Sequence, residues 1–497
     1  MATETPSPAA ATRGASPPPA KRSDRPAGTL GRRRRPAWLL EAGAVVVLAL
    51  VIRLLYGRGW EHYDSVYSLI WGHDLAHGHT PPDIGALASP TEHPLANLVG
   101  AVLNPLGFHG LAALELINVL ALAVVVWAAF HLGRTLFSAP VGVAFALIML
   151  VAPKLVGQTI ESSTDTPFLA LVLAAAALEA ARPRRGWAPM ALLAVAGLLR
   201  PEAWLLAALY WLWVVRPASW RSRIGLAVLG AAPAVAWLGF DATVTGDALK
   251  SLHGTQAAAA HIHRPMGLVT AVRQGPGDLA GVYGPWIAAG GSLGFVAALG
   301  LLRRRALLPV ALIAVGCGAF LAIGLAHLSL ISRYLFVPAT MVALFCAVAI
   351  AGWSALEPGH RLRRPWMVAG AVVGIAVAAG FGVHAARTLP GLVSDAARTS
   401  RDDGQLRALV RDPAFGAELA RCGPVQTNDF RARPMLALLL ATHPERYVLV
   451  HVRSAVRPGG GYLESVRQPH AGTVAAGMRI VDRRGAWTLY DGCGAFE

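Results

Sequence analysis

The chain has 497 residues, 55% of them hydrophobic and 14% charged. Soluble domains run about 45–50% apolar and about 25% charged, so an ordinary water-soluble protein is excluded and a polytopic membrane protein is the class that fits. The net charge of +16 would suit a nucleic-acid binder, but much of the Lys and Arg lies in the N-terminal tail, in short loops between apolar runs and in the C-terminal region. In the first two places these cations read as topology determinants, and no nucleic-acid partner is expected.

Residues 1–36 are rich in Ala, Pro, Ser and Arg and end in Gly31-Arg-Arg-Arg-Arg-Pro36. That composition buries no core, so a disordered basic cytoplasmic tail is expected. The apolar span 37–56 has a long charged lead and no small-residue cleavage site in Tyr56-Gly-Arg-Gly-Trp60, which makes it an anchor rather than a signal peptide. About eleven spans follow from hydropathy, at 37–56, 111–132, 139–158, 165–181, 187–200, 202–216, 223–240, 285–302, 306–329, 335–353 and 366–386. The short fifth and sixth meet in a turn at Leu199-Arg200-Pro201-Glu202.

Loop charges orient this map. With the tail inside, the cytoplasmic loops carry Arg134, then Arg182, Arg184 and Arg185, then Arg216, Arg221 and Arg223, then Arg303 to Arg305, then Arg361, Arg363 and Arg364. The outer loops hold few cations, as the positive-inside rule requires. An odd number of spans puts residues 387–497 outside the cytoplasm. There Tyr447–Val452 and Trp487–Tyr490 read as strands, and Leu406–Val410 and Met435–Ala441 as helical, giving a small α+β domain. The expected architecture is thus an all-α polytopic protein of the plasma membrane, with residues 37–386 as the transmembrane domain and 387–497 as a small extracytoplasmic α+β domain. Cys317 and Cys346 lie in apolar spans and read as small core residues. An extracytoplasmic tail domain would allow a Cys422–Cys493 disulfide.

The two long loops, 57–110 and 241–284, both fall on the outer side, which suits an enzyme working at that face. Trp60 to Pro94 is rich in acids and histidines and lacks Lys and Arg. Asp64 has the chemistry of a general base, and also suits an N-cap for a helix over Ser65–Ala76. Further polar residues collect at the same ends of the spans: Glu161 and Asp165 in Thr159-Ile-Glu-Ser-Ser-Thr-Asp-Thr166, Arg200 and Glu202, Asp241, and Arg333 and Tyr334. Charges at membrane depth are costly and often mark function. Guanidinium matches phosphate oxygens bidentately, so Arg200 and Arg333 suit a phosphate clamp. Pairing with Glu202, Glu161 or Asp165 would give them a structural role instead. His73 and His77 share a helix face, but no spacing defines a third ligand, and Glu161 with Asp165 is too common a pattern to carry a metal site. No metal or other cofactor is therefore expected. No P-loop, Rossmann fingerprint or GxSxG is present.

In this order and spacing the motifs resemble the GT-C superfamily of membrane glycosyltransferases. Its bacterial protein O-mannosyltransferases, lipid A aminoarabinose transferases and actinobacterial mannosyl- and arabinosyltransferases are the nearest analogues. Tyr63-Asp-Ser-Val-Tyr-Ser-Leu-Ile-Trp71 and His93-Pro-Leu95 look like their first outer loop. Thr164-Asp-Thr-Pro-Phe168, Gly197-Leu-Leu-Arg-Pro-Glu-Ala-Trp204 and Ser332-Arg-Tyr334 resemble later motifs. Many relatives carry an acidic pair in the first loop. Here Ser65 takes the second place, leaving the base role to Asp64, with Glu61 or Asp74 as substitutes. The resemblance implies a polyprenyl-phosphate sugar donor, mannosyl or another hexosyl or pentosyl unit, and a glycan, lipid or protein acceptor. It further implies Arg200, Arg333 or Lys250 at the phosphate, and Glu61, His93, Glu161, Asp165, Glu202 and Tyr334 lining the substrate site. The competing reading is a transporter or flippase, which should show inverted repeats and functional groups near mid-bilayer. A non-catalytic envelope scaffold is the third.

Overall fold

The computed structural model describes residues 37–60, 62–81, 89–422, 425–450, 460–468 and 478–491. Glu61 and Cys493 therefore lie outside the described residues, as does the N-terminal tail. The chain opens with the apolar helix α1 (Ala37–Tyr56), followed by α2 (Tyr63–Ala76) and α3 (Pro94–Leu103). Next come α4 (Gly110–Leu136), α5 (Ala139–Leu150), α6 (Pro153–Ile160), α7 (Asp165–Ala181), α8 (Trp187–Gly197), α9 (Glu202–Val214) and α10 (Trp220–Thr245). The third stretch holds α11 (Lys250–His261), α12 (Leu268–Tyr283), α13 (Pro285–Leu301), α14 (Arg303–Leu325), α15 (Phe336–Ala351), α16 (Arg363–Val377) and α17 (Val383–Val410). Two short helices, α18 (Pro413–Cys422) and α19 (Ala432–Leu440), accompany the tail sheet.

Local chemistry sets these boundaries. Proline opens the first turn of α3, α5, α6 and α13, where its missing N–H costs no helix bond. The α2 start differs from the expected Ser65: the helix begins at Tyr63, and the His62 side chain caps it by accepting from the Asp64 N–H. Asp64 thus sits in the first turn, where a carboxylate complements the helix dipole. Small residues let helices approach. A Cβ on Gly100 of α3 would meet the Ser68 carbonyl of α2, and one on Gly294 of α13 would meet the Phe345 carbonyl of α15.

Among the described residues six helices are long and apolar enough to cross a membrane, or eight if the bent pairs α5–α6 (54°) and α12–α13 (103°) each count as one span. Helices α8 and α9 are apolar but shorter, below the roughly 20 residues a bilayer asks for. Length and composition thus support a multi-span count of six to eight, and the finer map of eleven stays an expectation. The 241–284 stretch, expected as a loop, is largely helical, because α10 extends to Thr245 and α11 and α12 fill most of the rest. α15 forms the centre, buried along most of its length.

The helix from Arg363 to Val410 runs on for 48 residues, about 72 Å at 1.5 Å per residue. That is more than twice the hydrocarbon thickness of about 30 Å, so its last turns leave the membrane region. The division at residue 387 falls inside α17. Around the end of α17 the tail builds a five-stranded sheet in the order β2-β1-β3-β5-β4. Its strands are β1 (Gln426–Thr427), β2 (Val448–Leu449), β3 (Tyr462–Ser465), β4 (Ile480–Arg484) and β5 (Trp487–Tyr490). β1 runs parallel to β2 and β3, while β5 is antiparallel to β3 and β4. The Trp487 indole donates to the Asp402 carbonyl at 2.8 Å and ties the sheet to α17. Leu406, Leu409, Leu436 and Leu489 share one buried core with Val66, Leu69 and Ile70 of α2. The tail is therefore packed on the helix that begins beside Asp64. Cys422 is disulfide-bonded, whereas Cys317 and Cys346 are free.

Candidate active site around His93

The first loop is stitched to two turns, mostly through backbone groups. Trp60 and His62 N–H groups donate to the Ile160 and Glu161 carbonyls at 2.9 and 3.0 Å, and Ser65 Oγ donates to the Ser162 carbonyl at 2.7 Å. On the next segment, the Leu95 N–H donates to the Leu198 carbonyl at 3.1 Å. The first loop is thereby held against both the α6–α7 turn and the α8–α9 turn. Those turns carry Asp165 and Arg200.

Asp165 opens α7 and is 1% exposed. Ser163 Oγ donates to its Oδ2 at 3.0 Å, Arg200 pairs with its Oδ1, and Arg333 Nη1 lies 3.7 Å from Oδ2. Arg200, also buried, turns Nη2 and Nε to Glu202 Oε1 at 2.9 and 3.2 Å. Its guanidinium stacks over the Tyr334 ring at 4.6 Å and over Phe168 at 5.4 Å. A buried ion pair holds only when the remaining donors are also satisfied, and here two carboxylates and two ring faces meet that demand. Arg333 is less committed. Its side chain is 31% exposed, and its buried Nε has no hydrogen-bond partner.

His93 joins these parts. The Leu199 carbonyl accepts from its ring, and its Nδ1 is buried without a partner. Burial pushes the imidazole down from its ordinary value to about 4; the negative charge of Asp64 opposes this, and the positive charges of Arg200 and Arg333 add to it. His93 is thus neutral near pH 7, with a bare Nδ1 lone pair, and all three charged side chains act on it at once. Asp64 itself is 31% exposed, and its Oδ2 lies 3.6 Å from His62 Nδ1.

The structure therefore brings together Asp64, His93, Asp165, Arg200, Glu202, Arg333 and Tyr334. Glu161 lies in the stitched turn and accepts from Gln158 at 3.1 Å, but no ion pair links it to either guanidinium among the described residues. Lys250 starts α11, where its charge acts on Asp247, and no contact joins it to the cluster among the described residues. His73 and His77 do share a face, with rings 4.4 Å apart. Among the described residues the one grouping of three potential metal ligands is Glu418, Cys422 and Asp491, and Cys422 is committed to its disulfide.

Sequence reasoning missed a second polar group beside His93. Glu92 is 2% exposed, and its Oε2 lies 3.2 Å from Ser251 Oγ, which also donates toward Asp241 Oδ1 at 2.9 Å and accepts from Trp237 Nε1 at 3.0 Å. The Trp237 ring stands edge-on to His93 at 5.8 Å. The available signal was an acid directly before a His-Pro helix start. The tail also reaches this face: Phe430 meets the Tyr63 ring at 5.6 Å, and the Arg431 guanidinium covers Trp60 at 4.7 Å.

No family model and no curated protein matches this chain. Solved structures do. ArnT from Cupriavidus metallidurans bound to undecaprenyl phosphate aligns with a TM-score of 0.52 at 16% identity, covering 91% of this chain and 98% of that one. Its apo form gives 0.53 at 16% identity over 93% and 99%. The fold is ArnT-like. Both alignments cover most of the two chains. The all-α multi-span architecture with a small C-terminal sheet region, expected from the sequence, is the one found. Within the ArnT-like fold of this chain the polar cluster lies where the first loop, the α6–α7 turn and the α8–α9 turn meet.

Proposed function

We propose that this protein transfers a sugar from a polyprenyl-phosphate donor to an acceptor hydroxyl at the outer face of the plasma membrane. The single observation that carries this reading is a half-exposed carboxylate, a neutral imidazole and two guanidiniums acting on one point of an ArnT-like fold. The undecaprenyl phosphate bound to ArnT supplies the chemical class of the donor lipid.

In this mechanism Asp64 accepts the acceptor's hydroxyl proton as that oxygen attacks the anomeric carbon. The bond from the anomeric carbon to the phosphate oxygen breaks, the configuration inverts, and the electron pair leaves on the polyprenyl phosphate. Arg333 holds the phosphate and stabilises its growing charge. Arg200, committed to Asp165 and Glu202, fixes the floor on which Arg333 and Tyr334 lie. His93 contributes a hydrogen-bond acceptor to a sugar hydroxyl through Nδ1. Glu61, Glu161 and Lys250 stay as outer contributors to substrate binding. The N-terminus is cytoplasmic and residues 387–497 are extracytoplasmic, with Phe430 and Arg431 lying on the acceptor's approach. The transferred unit is mannose or another hexose or pentose, passed to an envelope glycan, lipid or protein.

The test is to incubate the purified chain in proteoliposomes with radiolabelled polyprenyl-phosphate mannose and envelope extract. Label moving into a glycosidic product that survives mild acid, which cleaves the polyprenyl-phosphate donor, supports the reading. Label moving across the bilayer with no product formed would establish a transporter instead.

A further inference from the structure

A cavity of about 500 Å³ lies between α1, α4 and α17 and takes no part in the proposed transfer. Its walls are apolar, with Leu50 on α1 and Leu116 and Val119 on α4; Leu50 and Leu116 are exposed at 59% and 57%. Such a surface is at ease only against hydrocarbon. The rim carries arginine and histidine side chains. Arg58 and His109 line it from the chain ends of α1 and α4, and Arg407 lines it from α17. Among the described lining residues Glu115 is the one carboxylate, and it is already held by Arg53 and by the Gly59 N–H at 2.6 Å. Arg58 is exposed and makes no ion pair or hydrogen bond among the described residues.

Apolar walls below the exposed Arg58 guanidinium match one kind of occupant, a lipid with an anionic headgroup. Its chain lies along the helices and its phosphate meets the Arg58 guanidinium, whereas the phosphate of phosphatidylcholine is already answered by its own choline cation. We propose that this groove binds an anionic phospholipid through its phosphate, at a site separate from the one around His93. The segment after α1 is the partition between them. On one side Gly59 bonds to Glu115; on the other Trp60 and His62 bond to the turn before Asp165. The inference stands on the groove alone and does not require sugar transfer.

The test uses the full chain in phosphatidylcholine nanodiscs doped with fluorescent phosphatidylglycerol, measuring the lipid retained after detergent extraction. The wild type is expected to enrich phosphatidylglycerol about tenfold over phosphatidylcholine. Arg58→Glu reverses an exposed charge, and Ala112→Trp fills the groove from an exposed position; both should abolish the enrichment while eluting as folded protein. Arg333→Met should keep it. Unchanged enrichment in both groove variants, or loss in Arg333→Met alone, would overturn the proposal.

Discussion

Around His93, two charged groups live under contrasting conditions. Arg200 is 6% exposed and spends three nitrogen atoms on Asp165 and Glu202. The Asp64 carboxylate is 31% exposed, with His62 Nδ1 3.6 Å away. The first group has its charge answered by protein; the second faces outward with capacity to spare. A group whose bonds are complete holds geometry, whereas one with an open side can exchange a proton with a substrate. The same contrast separates Arg200 from Arg333, whose buried Nε still lacks an acceptor.

This contrast can be broken by substitution. Asp64→Asn should lower transfer by about 10²–10⁴-fold, the range of a lost general base, with the thermal unfolding profile unchanged. Arg200→Met should act chiefly on stability, by about 3–5 kcal/mol, because buried Asp165 would lose its close ion-pair partner and keep only Ser163 and the more distant Arg333; thermal unfolding in detergent reads this directly. Equal unfolding temperatures for Arg200→Met and wild type would erase the distinction between the two halves. Arg333→Met should reduce kcat about 10²-fold, as expected for loss of one donor to developing charge, and leave stability near wild type.

A further expected effect concerns pH. The folded His93 imidazole has its pKa lowered to about 4, against about 6.5 in an unfolded chain. Its contribution to stability is therefore complete above pH 6.5 and is lost as pH falls toward 4, since the unfolded state binds the proton first. His93→Gln should flatten that part of the stability profile, which unfolding midpoints measured from pH 7 to pH 4 would reveal. An unaltered slope would mean that another group titrates there.

Much of this arrangement was readable from residues alone, and the exceptions have physical causes. Asp165, Arg200, Glu202 and Arg333 stand at the ends of apolar runs, where charge is conspicuous, so their shared face could be inferred. How completely Arg200 is neutralised could not, because that depends on which carboxylate the folded turns bring within reach. The Glu92–Ser251–Asp241 group was hidden for the same reason: Glu92 and Ser251 are 159 positions apart. The α2 start was misplaced by two residues because histidine is an uncommon cap and aspartate a favoured one. Helices α11 and α12 were overlooked because 241–284 lies between two apolar spans and reads as one long outer loop. In the tail, Trp487–Tyr490 was legible as a strand from its alternation, and Met435–Ala441 as a helix that the structure places at Ala432–Leu440.

The central claim is that Asp64 and Arg333 serve one reaction at one site. A double-mutant cycle on transfer rate tests it most directly, with Asp64→Asn, Arg333→Met and the pair measured in the same proteoliposomes. Groups that act as a unit give strongly non-additive losses, so the double variant is predicted to retain about the residual rate of Asp64→Asn alone. Losses that multiply in full would place the two residues in independent roles and contradict the account.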